Sequence, residues 1–142
     1  MEDHFNLERF VAAQRDEIDS VYAELKSGYK SGHWMWFIFP QLKGLGKSWM
    51  ANQYAISGRA EAEAYIAHLV LGPRLVSCTE LVNLIDGRSA TDIFGDIDSL
   101  KFRSSITLFD AVSSGRTAFA LALDKYFGGE PDRRTLDLLD AP

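Results

Sequence analysis

What this 142-residue chain lacks narrows its possibilities first. It has a single cysteine, Cys78, so no internal disulfide can form, which fits a reducing compartment and points to the cytoplasm. It has no long apolar run: Trp34 to Phe39 gives six residues, against the roughly 20 needed to cross a bilayer. Its first residues, Met1-Glu2-Asp3-His4, are acidic and lack the basic and apolar regions of a signal peptide. No membrane association is expected. The histidines at positions 4, 33 and 68 lie far apart and the one cysteine forms no CxxC pair, so no metal or other cofactor is expected. No segment alternates apolar and polar residues for long, and no Asn-Gly or Asp-Gly joins two strand-like runs. Repeats and low-complexity linkers are also missing.

The most local absence is of acid. From Lys26 to Ala60 there is no Asp or Glu, while Lys26, Lys30, Lys43, Lys47 and Arg59 are present. The whole chain carries −5, so removing these five cations leaves −10 on the rest. That balance argues against nucleic acid as a partner. It leaves two readings of the acid-free stretch, scattered surface lysines or a region suited to an anionic ligand. All three tryptophans, Trp34, Trp36 and Trp49, fall inside it.

The remainder reads as helices joined by short punctuated loops. Asn6 is placed to cap a first helix, with Leu7, Phe10, Val11, Ile18, Val21, Tyr22 and Leu25 at helical spacing before Gly28 stops it. A second helix follows Ser57, and Gly72-Pro73 breaks and restarts the chain. Leu75, Cys78, Val82 and Ile85 make the next stripe, on which Cys78 reads as a small buried hydrophobe. Ser89 is placed to cap a short turn, Asp98 a helix bearing Phe102, Ile106 and Phe109, and Asp132 a short last helix. Another helix runs from about Arg116 to Phe127. "WMWFIF", residues 34 to 39, is too short for periodicity to separate strand from helix. With no partner strand in sight, a short buried helix ended by Pro40 is expected. The fold expected is all-α, a compact single-domain, multi-helical chain with short loops.

Two motifs bear on chemistry. "KGLGKS", residues 43 to 48, looks like the end of a phosphate-binding loop, but position 41 is Gln where that loop needs Gly. "DSLKFRSSITLFD", residues 98 to 110, places Lys101 and Ser105 on one helix face and Arg103, Thr107 and Asp110 on another. It is either a solvated, salt-bridged face or a polar cluster beside a cleft. In the second case Lys101 or Arg103, with Ser104 and Ser105, holds an anion and Asp110 orients it or acts as a general base.

"LERFVAAQ" at 7–14, "HWMWFIFPQLKGLGKS" at 33–48, "LGPRL" at 71–75, "LKFRSSITLF" at 100–109 and "DRRTLDLL" at 132–139 together carry a resemblance. The chain resembles the bacterial domain-of-unknown-function family numbered 1810 over Phe5 to Leu139. The resemblance implies a compact multi-helical protein and brings no established reaction. Some relatives bear the label calpastatin, but a calpain inhibitor of that kind is a long disordered repeat chain, unlike this one. Gly32 stands where a serine usually precedes the histidine, and Leu69 where a proline usually follows His68.

Three functional readings follow. The first is a site for an anionic, nucleotide-like small molecule, with Trp34 and Trp36 stacking on a base and Lys43, Lys47, Lys101 and Arg103 meeting phosphate. A glycohydrolase acting through His33 or Asp110 on an N-glycosidic bond extends it, though no second catalytic carboxylate can be placed. The second is a non-catalytic interaction module that docks a protein partner, of unstated identity, on an aromatic surface. In the third the tryptophans are simply core. His33, at the entrance of the aromatic helix, is the residue of that stretch expected to face a ligand.

Overall fold

The computed structural model describes residues 2–141. Ten helices run through them: α1 (Glu8–Arg15), α2 (Ile18–Ser27), α3 (Met35–Ile38), α4 (Trp49–Gln53), α5 (Arg59–Ala67), α6 (Leu71–Asn83), α7 (Ala90–Phe94), α8 (Asp96–Ala111), α9 (Ala118–Phe127) and α10 (Arg133–Asp140). Among the described residues there is no strand, only one isolated bridge between Leu42 and Ile56. The fold is all-α. No described helix is long and apolar enough to cross a membrane.

α8 is the central element. α7, α9, α10 and α5 all pack on it, and every residue from Ser104 to Phe109 on it is buried. Phe102 stacks against Phe94 and meets Phe39 edge-on, while Phe109 packs on Tyr65 and Phe119. One contiguous apolar core results. α6 crosses between α2, α5 and α9. Its approach to α5 requires Gly72, where a Cβ would collide with the Ile66 carbonyl.

The expected first helix is two. The apolar stripe continues from Leu7 to Leu25, but the chain bends at Asp16-Glu17. The bend lets α1 pack on α3 while α2 turns onto α6. Asn6 does not cap α1; it takes a positive φ of 52°, and Asp3 instead accepts from the Leu7 and Glu8 N–H groups at 2.7 and 2.9 Å. Gln14, buried on α1, donates to the Phe37 carbonyl at 2.7 Å and to the Tyr65 hydroxyl at 3.2 Å, tying α1 to α3 and α5.

The other cap assignments divide. Ser89 caps α7 in a reciprocal capping box with Asp92, and Asp132 caps α10 by accepting from Thr135 N–H. Asp98 caps nothing: α8 begins at Asp96, after Gly95, leaving Asp98 in the first turn to pair with Lys30 Nζ at 2.7 Å. The aromatic stretch is the short buried helix α3, and Pro40 follows Phe39, whose backbone has left helical geometry. Cys78 is fully buried, and burial pushes its thiol up to about 12.

Candidate functional site

Three segments meet over the outer face of α8. Ile97, Leu100, Lys101 and Ser104 follow one another at helical spacing on that face. Gln41, Leu45 and Gly46 come from the loop after α3, and Asp132 and Arg134 from the start of α10. With Arg103 they line an open cleft of about 370 Å³.

Each wall is held for a local reason. The loop is clamped at its ends, Lys43 N–H donating to Ile56 O at 2.8 Å and Ile56 N–H to Gln41 O at 2.9 Å. That buries Leu42 and Ile56 and leaves the residues between them to form the rim. Gly46 is required where the loop folds back on α4, since a Cβ there would lie 2.5 Å from that of Ala51. So of the KGLG glycines Gly46 serves close packing and Gly44 a turn with φ of 101°, and no mononucleotide-binding sheet exists among the described residues. The start of α10 is fixed to α8: Asp132 N–H donates to Thr107 Oγ1 at 2.9 Å, and Ser104 Oγ donates to Asp132 Oδ2 at 3.1 Å.

The cleft is cationic within an acidic protein. Three basic side chains, Lys101, Arg103 and Arg134, face one carboxylate, Asp132. Arg134 has no ion-pair partner among the described residues, and Arg103 reaches only the exposed Glu130, at 3.9 Å. The Arg103 guanidinium also lies 5.4 Å from the Phe127 ring centre, and its Nε donates to the Glu130 carbonyl at 3.0 Å. Lys101 Nζ sits 3.6 Å from Asp98 and 5.1 Å from the Trp36 ring centre. The indole nitrogen of Trp36 is enclosed without a hydrogen-bond partner. Ile97 and Leu100, 72% and 63% exposed, add an apolar wall.

Of the residues singled out from sequence, Lys101, Arg103 and Ser104 line this cleft, and Trp36 lies beneath Lys101. Lys43 and Lys47 flank its loop but are exposed outside the lining. Trp34 is core, fully buried and donating from its indole to Glu24 at 3.1 Å, so it stacks on no ligand. Ser105 points inward, completely buried. The polar face from Arg103 through Thr107 to Asp110 ties down neighbouring segments: Thr107 holds Asp132, and Asp110 accepts from Thr117 Oγ1 at 2.7 Å beside the cap of α9.

The two catalytic candidates, His33 and Asp110, are not brought together. His33 is exposed and adjoins Gly32, whose carbonyl accepts from Lys30 Nζ at 2.6 Å, the same nitrogen that pairs with Asp98. Asp98 and Asp110 stand at opposite ends of α8, twelve residues or roughly 18 Å apart. Neither His33 nor Asp110 lines the cleft. His68 is structural, its Nδ1 accepting from Val70 and Leu71 N–H at 3.1 and 3.2 Å. Among the described residues no cluster of His, Cys, Asp or Glu could hold a metal.

The acid-free stretch is not acid-free in space. Lys30 pairs with Asp98, and Arg59 lies 3.9 Å from Asp140. Sequence reasoning missed Gln41, Asp132 and Arg134 as cleft residues. Asp132 was legible only as a helix cap, and Arg134 only as part of a recurring terminal motif. The aromatic stretch also presents little surface: Trp34, Phe37 and Phe39 are buried, and Trp49 alone of the tryptophans is well exposed, at 72%. A second cleft of about 340 Å³ lies at the ends of α2 and α6, lined by Leu25, Lys26, Leu81, Leu84 and their neighbours, without comparable convergence of cations.

Comparison with known families matches residues 4–139 to the family described as "Protein of unknown function (DUF1810)". The chain belongs to the DUF1810 family. Among solved structures it is similar to the conserved hypothetical protein Rv1873 from Mycobacterium tuberculosis. The identity is 52%, over 99% of this chain and 100% of that one, with a TM-score of 0.97. No curated protein matches the chain. Membership of DUF1810 agrees with the all-α fold and assigns no reaction.

Proposed function

We propose that the cleft binds a small anionic, nucleotide-like molecule. Its phosphate sits between Arg103, Lys101 and Arg134, and its ring lies against Leu45, Ile97 and Leu100. One observation carries the reading: three cations converge on a concavity that has an apolar wall, in a chain whose net charge is −5. Guanidinium groups favour phosphate through paired, charge-assisted hydrogen bonds. A positive concavity on an acidic protein also concentrates anions locally. The volume, about 370 Å³, lies near the small end of the roughly 300–1,000 Å³ range of ligand pockets, which favours a mononucleotide or sugar phosphate over a dinucleotide.

The reading is one of binding. A glycohydrolase step through His33 or Asp110 lacks support, since neither residue lines the cleft. Calorimetric titration with inorganic phosphate and with adenosine monophosphate tests the proposal. Both should bind, the nucleotide more tightly. Arg103→Ala and Arg134→Ala should each weaken binding by about tenfold, as expected for loss of a charge-assisted contact. Absence of binding by either compound at millimolar concentration would refute it.

A further inference from the structure

The two oxygens of Asp132 have different surroundings. Oδ2 is fully engaged, accepting from Ser104 Oγ, Thr135 N–H and Thr135 Oγ1. Oδ1 accepts from no described residue and is not among the enclosed, unpartnered atoms, so solvent or a ligand reaches it. Asp132 lines both the cleft and an adjoining hollow formed with Arg103, Glu130, Pro131, Arg133 and Arg134. Arg103, Asp132 and Arg134 are the residues shared by the two, so they form the saddle between them.

A carboxylate in the middle of a cationic saddle constrains the ligand. It repels an anion that offers only acceptors, yet accepts strongly from a donor placed beside that anion. Since three cations face this one carboxylate, an ammonium group is disfavoured there and a neutral hydroxyl is favoured. Its three contacts hold the carboxylate in place, so little side-chain freedom is lost when a ligand engages Oδ1.

We infer that Asp132 determines specificity by accepting, through Oδ1, a hydrogen bond from a sugar hydroxyl of a phosphate-bearing ligand held by Arg103 and Arg134. This rests on the anion reading of the same cleft. The ligand class is therefore a hydroxylated monophosphate, a pentose phosphate or the ribose phosphate of a mononucleotide.

The test is the ratio of affinities for ribose 5-phosphate and inorganic phosphate, measured by calorimetry on wild-type, Asp132→Asn and Asp132→Ser chains. Asn and Ser are both good helix caps, so α10 keeps its start in each variant. Wild type should prefer ribose 5-phosphate by at least about tenfold, the scale of one hydrogen bond to a charged group. Both variants should lose most of that preference while holding inorganic phosphate as tightly or more tightly. An unchanged ratio in both variants overturns the role of Asp132 and leaves the anion site standing. Tighter binding of phosphoethanolamine than of ribose 5-phosphate overturns the hydroxyl assignment. Failure of wild type to bind any of these phosphates removes the anion reading, and this inference with it.

Discussion

The ammonium of Lys101 lies 5.1 Å from the centre of the Trp36 ring, over an indole whose own nitrogen has no partner. This pair joins the one cleft-facing lysine of α8 to the aromatic helix α3. A phosphate in the cleft competes with the ring and with Asp98 for the same cation. Tryptophan emission should therefore respond to phosphate ligands. In a Trp49→Phe chain, which lacks the exposed fluorophore, the response should persist. Lys101→Met should abolish it and cost about 0.5–1 kcal/mol of stability from the lost cation–π contact. A response that survives Lys101→Met would place its origin elsewhere.

Trp34 and Trp49 should behave oppositely on truncation. Trp34 has no exposed surface, whereas Trp49 is 72% exposed. Trp34→Ala should destabilise by about 3–5 kcal/mol through the cavity it leaves and the donor lost to Glu24. Trp49→Ala should stay within about 0.5 kcal/mol of wild type. Urea titrations of the two variants decide this.

Glu24 makes the turn before α3 acid-sensitive. Burial pushes its carboxyl up, but hydrogen bonds from Gly32 and Ser31 N–H and from the Trp34 indole outweigh that and leave it below the usual 4.5. A carboxyl depressed in the folded state stabilises fully above its unfolded value. That contribution is lost as pH falls from about 4.5 through the lower folded value. Glu24→Gln should flatten the stability-versus-pH curve in that acid window and change nothing in its shape between neutral pH and pH 6. Urea midpoints across pH 2 to 7 give the comparison.

Cys78 should be inert while the chain is folded. It is fully buried, and burial pushes its thiol up to about 12, so almost no thiolate forms near neutrality. A chromogenic disulfide reagent at pH 8 should label it only at the rate of unfolding, and immediately in denaturant. Fast labelling of the native chain would contradict the packing of α6.

Much of the fold was legible because helical spacing and caps are local signals. Ser89 and Asp132 accept from backbone groups three residues on, and Gly28 takes the left-handed conformation that ends α2. The bend at Asp16-Glu17 was not legible, because the apolar stripe from Leu7 to Leu25 runs through it. It is set by what α1 and α2 each pack against, including the bonds from Gln14 to Phe37 and Tyr65. Asn6 takes a left-handed turn instead of capping α1, and Asp3 accepts from the Leu7 and Glu8 N–H groups. At the site, Lys101, Arg103 and Ser104 were readable as one helical cluster. Asp132 and Arg134 were not, since it is tertiary contact, such as Thr107–Asp132 and Ser104–Asp132, that brings α10 across α8. The distance between His33 and Asp110 was equally beyond the sequence, which holds no information on which end of α8 His33 approaches.

The central claim is that the cleft over α8 receives a small phosphate-bearing molecule. Titration of the isotope-labelled chain with ribose 5-phosphate, followed by amide and indole N–H chemical shifts, addresses it most directly. Perturbations should be confined to Gln41–Gly46, Leu100–Ser104, Asp132–Arg134 and the Trp36 indole. Shifts centred instead on Leu25, Lys26, Leu81 and Leu84 at the ends of α2 and α6, or none at millimolar ligand, would contradict it.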